Sequence, residues 1–341
     1  MSVEFAQDIS ATETTGKLSS MPILILNLHE NCNCRCMMCD IWKRPAGSEL
    51  RLEALSKHAE SFRSLGIRHV VLTGGEPLLH SRFADLCAFL KELDVTITLL
   101  TTGLLLHAQA ERVSQGVDDI IISLDGPEHI HDAIRRVRRG FDLIRLGIRA
   151  VRALRPCMKI HARSTVQRTN YAFLRETVVA AHRLGFDSIS FLATDVSSHA
   201  FNRELIWPGE RQAEIALSNT DISILEDEME ELIAEHSDDI NAGFIVEKPE
   251  KLRRIVRHFR EVLGELPYQA PTCNAPWVSA VIEVDGSVKP CFFHRKVSNL
   301  SASTLAEAVN SPQAQQFRRD LDIANDPVCR RCVCSLNYRH T

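Results

Sequence analysis

The chain has 341 residues, of which 45% are apolar and 25% are charged, and its formal net charge is −4. This length favours roughly two domains with a core that needs no disulfide staples. The small net charge offers no general attraction to nucleic acid, and no run approaches the roughly 20 apolar residues that a membrane-spanning helix requires. We therefore expect a globular protein without nucleic-acid or membrane partners.

The N-terminal segment, residues 1–20, is polar and acidic. It lacks the apolar core and the small-residue cleavage site of a signal peptide, so we expect a flexible segment on a cytoplasmic protein. The 11 cysteines form an odd and clustered set, which argues against a disulfide framework. Cys87 and Cys157 lie outside the clusters, and we interpret both as small buried apolar residues.

Short apolar runs of strand length alternate with amphipathic stretches between residues 21 and 195. Strands are predicted over residues 22–28, 68–72, 95–100, 119–124, 159–165 and 188–192, and helices over 52–65, 83–93, 104–115, 134–154 and 173–184. Gly66, Gly116 and Gly185 follow three of these helices as expected C-caps. This alternation predicts an α/β fold, a partial (β/α)6 barrel whose chemistry lies at the carboxyl ends of the strands.

A first cysteine cluster follows the first predicted strand directly. Cys32, Cys36 and Cys39 have the spacing C-x3-C-x2-C. Three thiolates on one loop can hold three irons of a four-iron cluster, and the fourth iron is then open to a small chelating molecule. A zinc site completed by His29 or Cys34, or a redox-sensing pair, also remains open on spacing alone.

The second predicted strand ends in Thr73-Gly74-Gly75-Glu76-Pro77. Paired glycines let a ligand approach the backbone, and the adjacent acid can accept hydrogen bonds from an ammonium group. Together with the cysteine spacing, this motif resembles the radical S-adenosylmethionine (SAM) superfamily. The resemblance implies a [4Fe–4S] cluster on Cys32, Cys36 and Cys39 whose open iron is chelated by SAM. It also implies that Gly74, Gly75 and Glu76 bind the SAM amino group.

Later strand ends carry further matches to this family. The resemblance implies that Met38 packs on adenine where relatives have an aromatic residue, which a thioether can do. The other residues that it implies near SAM are Thr102, Ser123, Asp125, Arg163, Ser164 and Leu192. A simpler alternative is that polar residues are common wherever strands stop. For handling hydrogen, Asp125 and His131 are candidate catalytic residues.

Eight arginines lie between Arg135 and Arg155. We interpret them as the solvated face of an outer barrel helix. The alternative is a docking face for an acidic electron donor or an anionic substrate.

The strand–helix alternation stops after residue 195. Residues 196–270 are predicted to form a helical linker or lid, with helices over 222–236 and 250–263. A β-hairpin is predicted over 277–293 around Asp285–Gly286. Ser303 or Thr304 is expected to cap a short helix that follows.

A second cysteine cluster lies in residues 271–341. Its spacing is Cys273-x12-Gly286-x4-Cys291 followed by Cys329-x2-Cys332-x-Cys334. A zinc ribbon is open in principle. The spacing resembles the SPASM/twitch auxiliary-cluster modules of radical SAM proteins, most closely those of 2-deoxy-scyllo-inosamine dehydrogenases. The resemblance implies a second, auxiliary [4Fe–4S] cluster on Cys273, Cys291, Cys329 and Cys332, with Cys334 as a spare thiol.

The resemblance also implies a reaction. A flavodoxin- or ferredoxin-type donor would supply the electron for reductive cleavage of SAM to a 5′-deoxyadenosyl radical, which abstracts hydrogen from substrate. We expect a small polar metabolite of the sugar or cyclitol type, with the auxiliary cluster as electron acceptor. The alternatives are a maturase of a ribosomal peptide and a non-catalytic iron–sulfur carrier or sensor. Peptide-modifying relatives often carry an N-terminal recognition domain, and only residues 1–20 precede the first strand here.

Overall fold

The computed structural model describes residues 15–44, 47–201 and 205–339. Most of the predicted flexible segment 1–20 therefore lies outside the described residues. The chain divides into two compact units. The first unit comprises the described residues of Met1–Cys32, Arg44–Leu99 and Ala270–Thr341, and the second comprises Asn33–Lys43 and Leu100–Gln269.

The strands, in chain order, are β1 (Ile23–His29), β2 (His69–Gly74), β3 (Thr96–Thr101), β4 (Asp119–Ser123), β5 (Lys159–Val166), β6 (Ser188–Ala193), β7 (Ser279–Ile282), β8 (Ser287–Lys289) and β9 (Ser298–Asn299). The helices are α1 (Leu52–Ser56), α2 (Ala59–Ser64), α3 (Phe83–Glu92), α4 (Leu106–Gly116), α5 (Glu128–Arg135), α6 (Gly140–Leu154), α7 (Leu174–Leu184), α8 (Gly209–Ile215), α9 (Asn219–Glu235), α10 (Ser237–Ala242), α11 (Pro249–Val262), α12 (Ala275–Val278), α13 (Leu305–Val309), α14 (Pro312–Asp320) and α15 (Pro327–Arg330). Short 3₁₀ helices cover Ile41–Lys43 and Pro77–Leu79. All six predicted barrel strands are present within two residues of their expected ends.

In the first unit the strand order is β3-β2-β1-β7-β8-β9. β1 pairs in parallel with β2 and with β7. β8 pairs antiparallel with β7 on one side and with β9 on the other. Apolar residues of β1 such as Leu24 and Leu26 are fully buried, as expected for a strand inside a parallel sheet. The β7–β8 hairpin turns at Gly286, whose φ of +78° suits glycine, and the predicted hairpin is confirmed.

In the second unit β4, β5 and β6 are parallel, in the order β6-β5-β4. Part of the region predicted as a linker or lid borders this sheet. The backbone of Ile189 in β6 exchanges hydrogen bonds with Phe244 and Val246, so an extended segment covers the edge of β6. Helix α11 packs on β6, and α9 packs on α7 and α11.

Two predicted helices are each broken in the structure. The expected helix over 52–65 is divided into α1 and α2, and the expected helix over 134–154 is replaced by α5 and α6. The second break occurs because Arg136 and Arg139 adopt left-handed backbone conformations, with φ of +54° and +61°. Gly185 ends α7 in the left-handed conformation as predicted, whereas Gly116 lies inside α4.

The two isolated cysteines differ in burial. Cys87 is buried, which confirms its interpretation as a small core residue, but Cys157 is exposed, so the same interpretation was wrong for it. Across the described part of the chain, no helix has both the length and the apolar character needed to cross a bilayer.

Candidate active site

The first part of the cysteine loop, in the first unit, packs on the end of β2. The backbone N–H of Gly75 donates to the His29 carbonyl at 2.7 Å, and that of Glu76 donates to the Asn31 carbonyl at 2.8 Å. A methyl group on Gly75 would overlap the Asn31 carbonyl, and Gly74 has a φ of +131°. The paired glycines are therefore required for the cysteine loop to approach the end of β2, whether or not a ligand also approaches them.

Glu76 is fully buried at this point of the first unit. Its Oε1 accepts a hydrogen bond from the Leu78 N–H at 3.0 Å and so caps the 3₁₀ helix Pro77–Leu79. Such a cap satisfies a backbone donor that would otherwise lack a partner at the start of the helix. The predicted contact between Glu76 and the SAM amino group stays a prediction.

The rest of the cysteine loop belongs to the second unit and is bound to the end of α5. The backbone N–H of Arg35 donates to the Arg135 carbonyl at 3.1 Å, and that of Met37 donates to the Ile134 carbonyl at 3.2 Å. These are carbonyl groups in the last turn of a helix, which intrahelical bonds leave open. The loop around Cys36 is thereby held by backbone contacts on both sides of the cysteine.

Arg135 is buried between a carboxylate and a cysteine. Its Nε donates to Oδ2 of Asp125 at 2.6 Å, and its Nη1 lies 3.5 Å from Sγ of Cys36. A hydrogen bond involving Cys34, assisted by Arg135 and opposed by burial, lowers the pKa of the Cys36 thiol to about 6. Sequence reasoning missed this position because it grouped Arg135 with a solvated arginine face. That interpretation was wrong for Arg135, whereas Arg145 and Arg149 are exposed on α6, and Arg136, Arg138 and Arg139 are exposed in the turn before it.

Asp125 and His131, the two candidate catalytic residues, are both engaged in structural contacts. Asp125 accepts the Thr165 N–H at 3.1 Å in addition to its pairing with Arg135. Nδ1 of His131 accepts the Asp125 N–H at 3.3 Å. Burial lowers the pKa of His131 to about 4, so the ring is neutral at physiological pH. These contacts shape the turn after β4, and a catalytic role for either residue stays a prediction.

One face of β4, β5 and β6 carries a row of polar residues. Ser123, Arg163 and Ser190 are direct neighbours across the three strands, and Nε of Arg163 donates to Oγ of Ser190 at 3.2 Å. Side chains two residues apart share a face, so Leu192 lies on this face as well. The structure therefore brings together three residues that were predicted near SAM: Ser123, Arg163 and Leu192.

Ser164 lies on the opposite face of the same sheet. It follows Arg163 directly, and consecutive strand residues point to opposite sides. Its Oγ is buried and has no hydrogen-bond partner among the described residues. Arg163 and Ser164, both predicted near SAM, therefore lie on opposite faces of β5, and a SAM contact of either residue stays a prediction.

Two further buried polar atoms lie close to the cysteine loop in the second unit. Oγ1 of Thr102 donates to Oδ1 of Asn33 at 3.0 Å, while Nδ2 of Asn33 has no partner in the described structure. Oε1 of Gln167 is also unsatisfied, and its Nε2 lies 3.5 Å from Sδ of Met38. Buried polar atoms without partners are rare in folded proteins and fit a polar ligand such as SAM. Sequence reasoning missed Asn33 and Gln167, although both adjoin predicted motifs.

Met37 and Met38 are covered by the start of the region that was predicted as a linker or lid. Both pack against an apolar cluster of Val196, Trp207, Ile215 and Ala216. Nε1 of Trp207 donates to Oδ2 of Asp40 at 2.7 Å, and Arg211 donates to the Met37 carbonyl at 2.5 Å. No spacing in the sequence marks Trp207 or Arg211 as neighbours of the cysteine loop.

The second cysteine cluster lies in the first unit. Cys273, Cys291, Cys329 and Cys332 are partly buried, and Cys334 is exposed. Burial, together with the charges of Cys273 and Cys334, raises the pKa of the Cys291 thiol to about 11. Burial followed by the charge of Cys334 also raises the pKa of Cys332. Mutually repelling thiolates are the donor set that a cationic iron or zinc centre stabilises.

His294 and Asp326 adjoin this cluster and were not predicted. Nε2 of His294 lies 3.4 Å from Sγ of Cys329 and 3.7 Å from a carboxylate oxygen of Asp326. The same oxygen accepts the backbone N–H groups of Val328 and Cys329 at the start of α15. Asp326 therefore fixes the helix turn that presents Cys329.

Comparison with protein families gives two matches. Residues 26–162 match the radical SAM superfamily, and residues 273–333 match the SPASM iron–sulfur cluster-binding domain. The chain contains a radical SAM domain and a C-terminal SPASM domain. The resemblance noted from the cysteine spacings is thus confirmed. A radical SAM enzyme of this kind binds a [4Fe–4S] cluster, SAM and an auxiliary cluster.

Individual relatives of this radical SAM enzyme cover part or most of the chain. GTP 3′,8-cyclase from Caulobacter vibrioides is 32% identical over 201 residues, which cover 53% of this chain and 56% of the relative. The chain spans about half the length of that curated relative. The crystal structure of SuiB from Streptococcus suis bound to SAM has a TM-score of 0.64 and 15% identity, covering 97% of this chain and 76% of SuiB. The anSMEcpe structure with bound AdoMet has a TM-score of 0.64 and 19% identity, covering 87% of this chain and 79% of anSMEcpe. These similarities confirm the predicted radical SAM fold.

Proposed function

We propose that the chain is a radical SAM oxidoreductase that removes hydrogen from a small polar metabolite of the sugar or cyclitol type. The observation that carries this proposal is the auxiliary cysteine set. Four thiols, those of Cys273, Cys291, Cys329 and Cys332, are partly buried and would satisfy all irons of a four-iron cluster, leaving none for substrate. A cluster that cannot bind substrate but can accept an electron favours an oxidation.

The chemistry is divided between the cofactors and the residues of the chain. When bound at Cys32, Cys36 and Cys39, the first cluster supplies the electron, taken from a flavodoxin- or ferredoxin-type donor, that splits SAM into methionine and a 5′-deoxyadenosyl radical. With SAM and both clusters bound, the substrate would lose one hydrogen atom to that radical, one electron to the auxiliary cluster and one proton to solvent. Its net loss is two electrons and two protons. Arg163 offers a guanidinium for the SAM carboxylate, and Met38 and Leu192 offer apolar contacts for adenine.

A small polar substrate is supported by the polar face of β4, β5 and β6. Besides Arg163 and Ser190, it carries His161, whose ring nitrogen lies 2.8 Å from Oγ of Ser188. Hydroxyl, imidazole and guanidinium groups suit a hydroxylated or charged small molecule. The curated relative with 32% identity is named for an activity on GTP, which is also a small polar metabolite.

The proposal is tested by Cys291→Ala, which removes one ligand of the auxiliary cluster. Anaerobically reconstituted wild-type protein is expected to hold about eight irons as two four-iron clusters, and Cys291→Ala about half of them. The variant is expected to keep reductive cleavage of SAM to 5′-deoxyadenosine, because its cysteine loop is unchanged. The matching Cys32/Cys36/Cys39 triple alanine variant is expected to lose that cleavage while keeping the auxiliary irons. Retention of all iron by the triple variant would contradict the assignment.

A peptide substrate is the second candidate. SuiB and anSMEcpe, which share the fold of this chain, were also solved with peptides bound. The two candidates are separated by the rate of 5′-deoxyadenosine formation with added compounds. Aminocyclitols, amino sugars and nucleotides are expected to raise this rate, and unmodified peptides are expected to leave it unchanged. Stimulation by peptides alone would replace the first candidate with the second.

A further inference from the structure

Arg135 joins two negative groups inside the second unit. Its guanidinium donates to the carboxylate of Asp125, which is fully buried, and points a second N–H at Sγ of Cys36, 3.5 Å away. Arg135 therefore contacts a buried carboxylate and a predicted cluster ligand at the same time. Because an arginine guanidinium stays protonated in proteins, it places a positive charge beside Cys36.

The backbone fixes this arrangement independently of the side chains. The Arg135 and Ile134 carbonyls accept the N–H groups of Arg35 and Met37, the residues on either side of Cys36. Immediately after Arg135 the chain leaves the helix through Arg136 in a left-handed conformation. Cys36 and Arg135 thus belong to one hydrogen-bonded piece of structure, and the Arg135 side chain has little freedom to point elsewhere.

Hydrogen bonds and nearby positive charge at a ligating sulfur are among the main influences on the reduction potential of an iron–sulfur cluster. Reduction adds negative charge to the cluster, so a cation at Cys36 favours it, and a carboxylate behind that cation weakens the effect. We propose that Arg135 is a positioning residue that orients the Cys36 thiolate and raises the reduction potential of the SAM-cleaving cluster, with Asp125 setting the size of the effect. This inference rests on the proposed function, since it requires that cluster on Cys36.

The two partners predict shifts of opposite sign. Arg135→Gln removes the cation and leaves Asp125 negative, so the cluster becomes harder to reduce. The reduction equilibrium is expected to fall at least tenfold, which is 59 mV for one electron. Asp125→Asn leaves Arg135 unpaired, so the potential is expected to rise. If Arg135 and Asp125 only supported the fold, the two substitutions would shift the reduction potential in the same direction or not at all.

The experiment is a potentiometric titration followed by electron paramagnetic resonance, in a Cys291→Ala background so that the auxiliary cluster does not overlap. Arg138→Gln is the matched control, because Arg138 is an exposed arginine of the same turn and its loss changes the net charge equally. It is expected to leave the potential unchanged. Arg135→Lys keeps the charge, so its reduction potential is expected to lie between those of wild type and Arg135→Gln.

Opposite shifts in Arg135→Gln and Asp125→Asn, with iron content retained, support the inference. Unchanged potentials, shifts of one sign, or an equal shift in Arg138→Gln overturn it and leave the proposed function intact. Loss of the cluster even in Arg135→Lys also overturns it, because the contact is then required only for assembly. If the wild-type protein holds no cluster on the cysteine loop, the proposed function fails and this inference fails with it.

Discussion

At the level of single residues, several groups near the cysteine loop have both a structural contact and a predicted cofactor contact. Glu76 shows this most simply, since its Oε1 caps the short helix Pro77–Leu79 while the radical SAM resemblance assigns its carboxylate to the SAM amino group. A substitution that keeps the cap and removes the charge separates the two roles. Glutamine does so, because its side-chain carbonyl accepts the same N–H.

Glu76→Gln is therefore expected to weaken SAM binding about tenfold or more, since a hydrogen bond to a charged group contributes about 1.5–3 kcal/mol. The measurement is the dissociation constant of SAM for anaerobic holoprotein, together with its thermal midpoint. Glu76→Ala is the comparison variant, because it loses both the charge and the cap and should lower the midpoint as well. An unchanged dissociation constant in Glu76→Gln would remove the residue from the SAM site.

At the level of elements, contacts of two segments define the surroundings of the cysteine loop in the second unit. The end of α5 holds the loop backbone, and the segment that begins at Val196 covers Met37 and Met38. Trp207 anchors that segment through its ring and its hydrogen bond to Asp40. The covering segment thus depends on one large side chain.

Trp207→Ala is expected to destabilise the protein by about 3–5 kcal/mol, the usual cost of removing a buried tryptophan. The uncovered loop should also lose its cluster faster in air, which the decay of visible absorbance measures. Trp207→Phe keeps most of the packing and loses the hydrogen bond, so its decay rate should lie between those of wild type and Trp207→Ala. Ile206→Ala, at the exposed neighbouring position, serves as the control and should match wild type. Equal decay rates in all four proteins would contradict a protective role for the segment.

At the level of the whole molecule, buried histidines make stability depend on pH. Burial lowers the pKa of His131 and of His258 to about 4, below the value of 6.5 in the unfolded chain. Between these values the unfolded chain binds more protons than the folded one, so the free energy of unfolding falls as the pH falls from 6.5 towards 4. Above pH 6.5 both groups are neutral in both states and contribute no pH dependence.

His258→Leu is expected to reduce this acid sensitivity. From pH 7 to pH 5, its free energy of unfolding should fall by roughly 2 kcal/mol less than that of wild type. Urea unfolding of the two holoproteins at both pH values measures the difference, and the contributions of the clusters cancel in the comparison. His107→Gln replaces an exposed histidine and should show the same pH dependence of unfolding as wild type. Identical pH dependence in His258→Leu would show that the pKa of His258 is the same in the folded and unfolded protein.

Much of the fold and the cofactor set could be predicted because local patterns encode them. Strand-length apolar runs fixed β1 to β6 within two residues, and the turn pair Asp285–Gly286 fixed the β7–β8 hairpin. The cysteine spacings, together with Thr73-Gly74-Gly75-Glu76-Pro77, were sufficient to indicate the family, whereas the individual thiols that hold each cluster stay predictions. The family matches over residues 26–162 and 273–333 bear out the family prediction.

Helix continuity and side-chain direction were harder to predict. The break after Arg135 depends on two arginines in the left-handed conformation, which is uncommon for residues other than glycine and which composition does not reveal. Arg163 and Ser164 were both predicted near SAM, but they are consecutive strand residues and lie on opposite faces of β5.

The sequence by itself determined the six barrel strands, the β-hairpin and the family, because each depends on short local patterns of residues. Only the tertiary structure decided that Arg135 lies beside Cys36, 99 positions away, and that Trp207 meets Asp40 across 167 positions. Periodicity carries no information about such distant pairs. Their formation depends on how helices and loops pack, and the free energy of that packing is distributed over many residues.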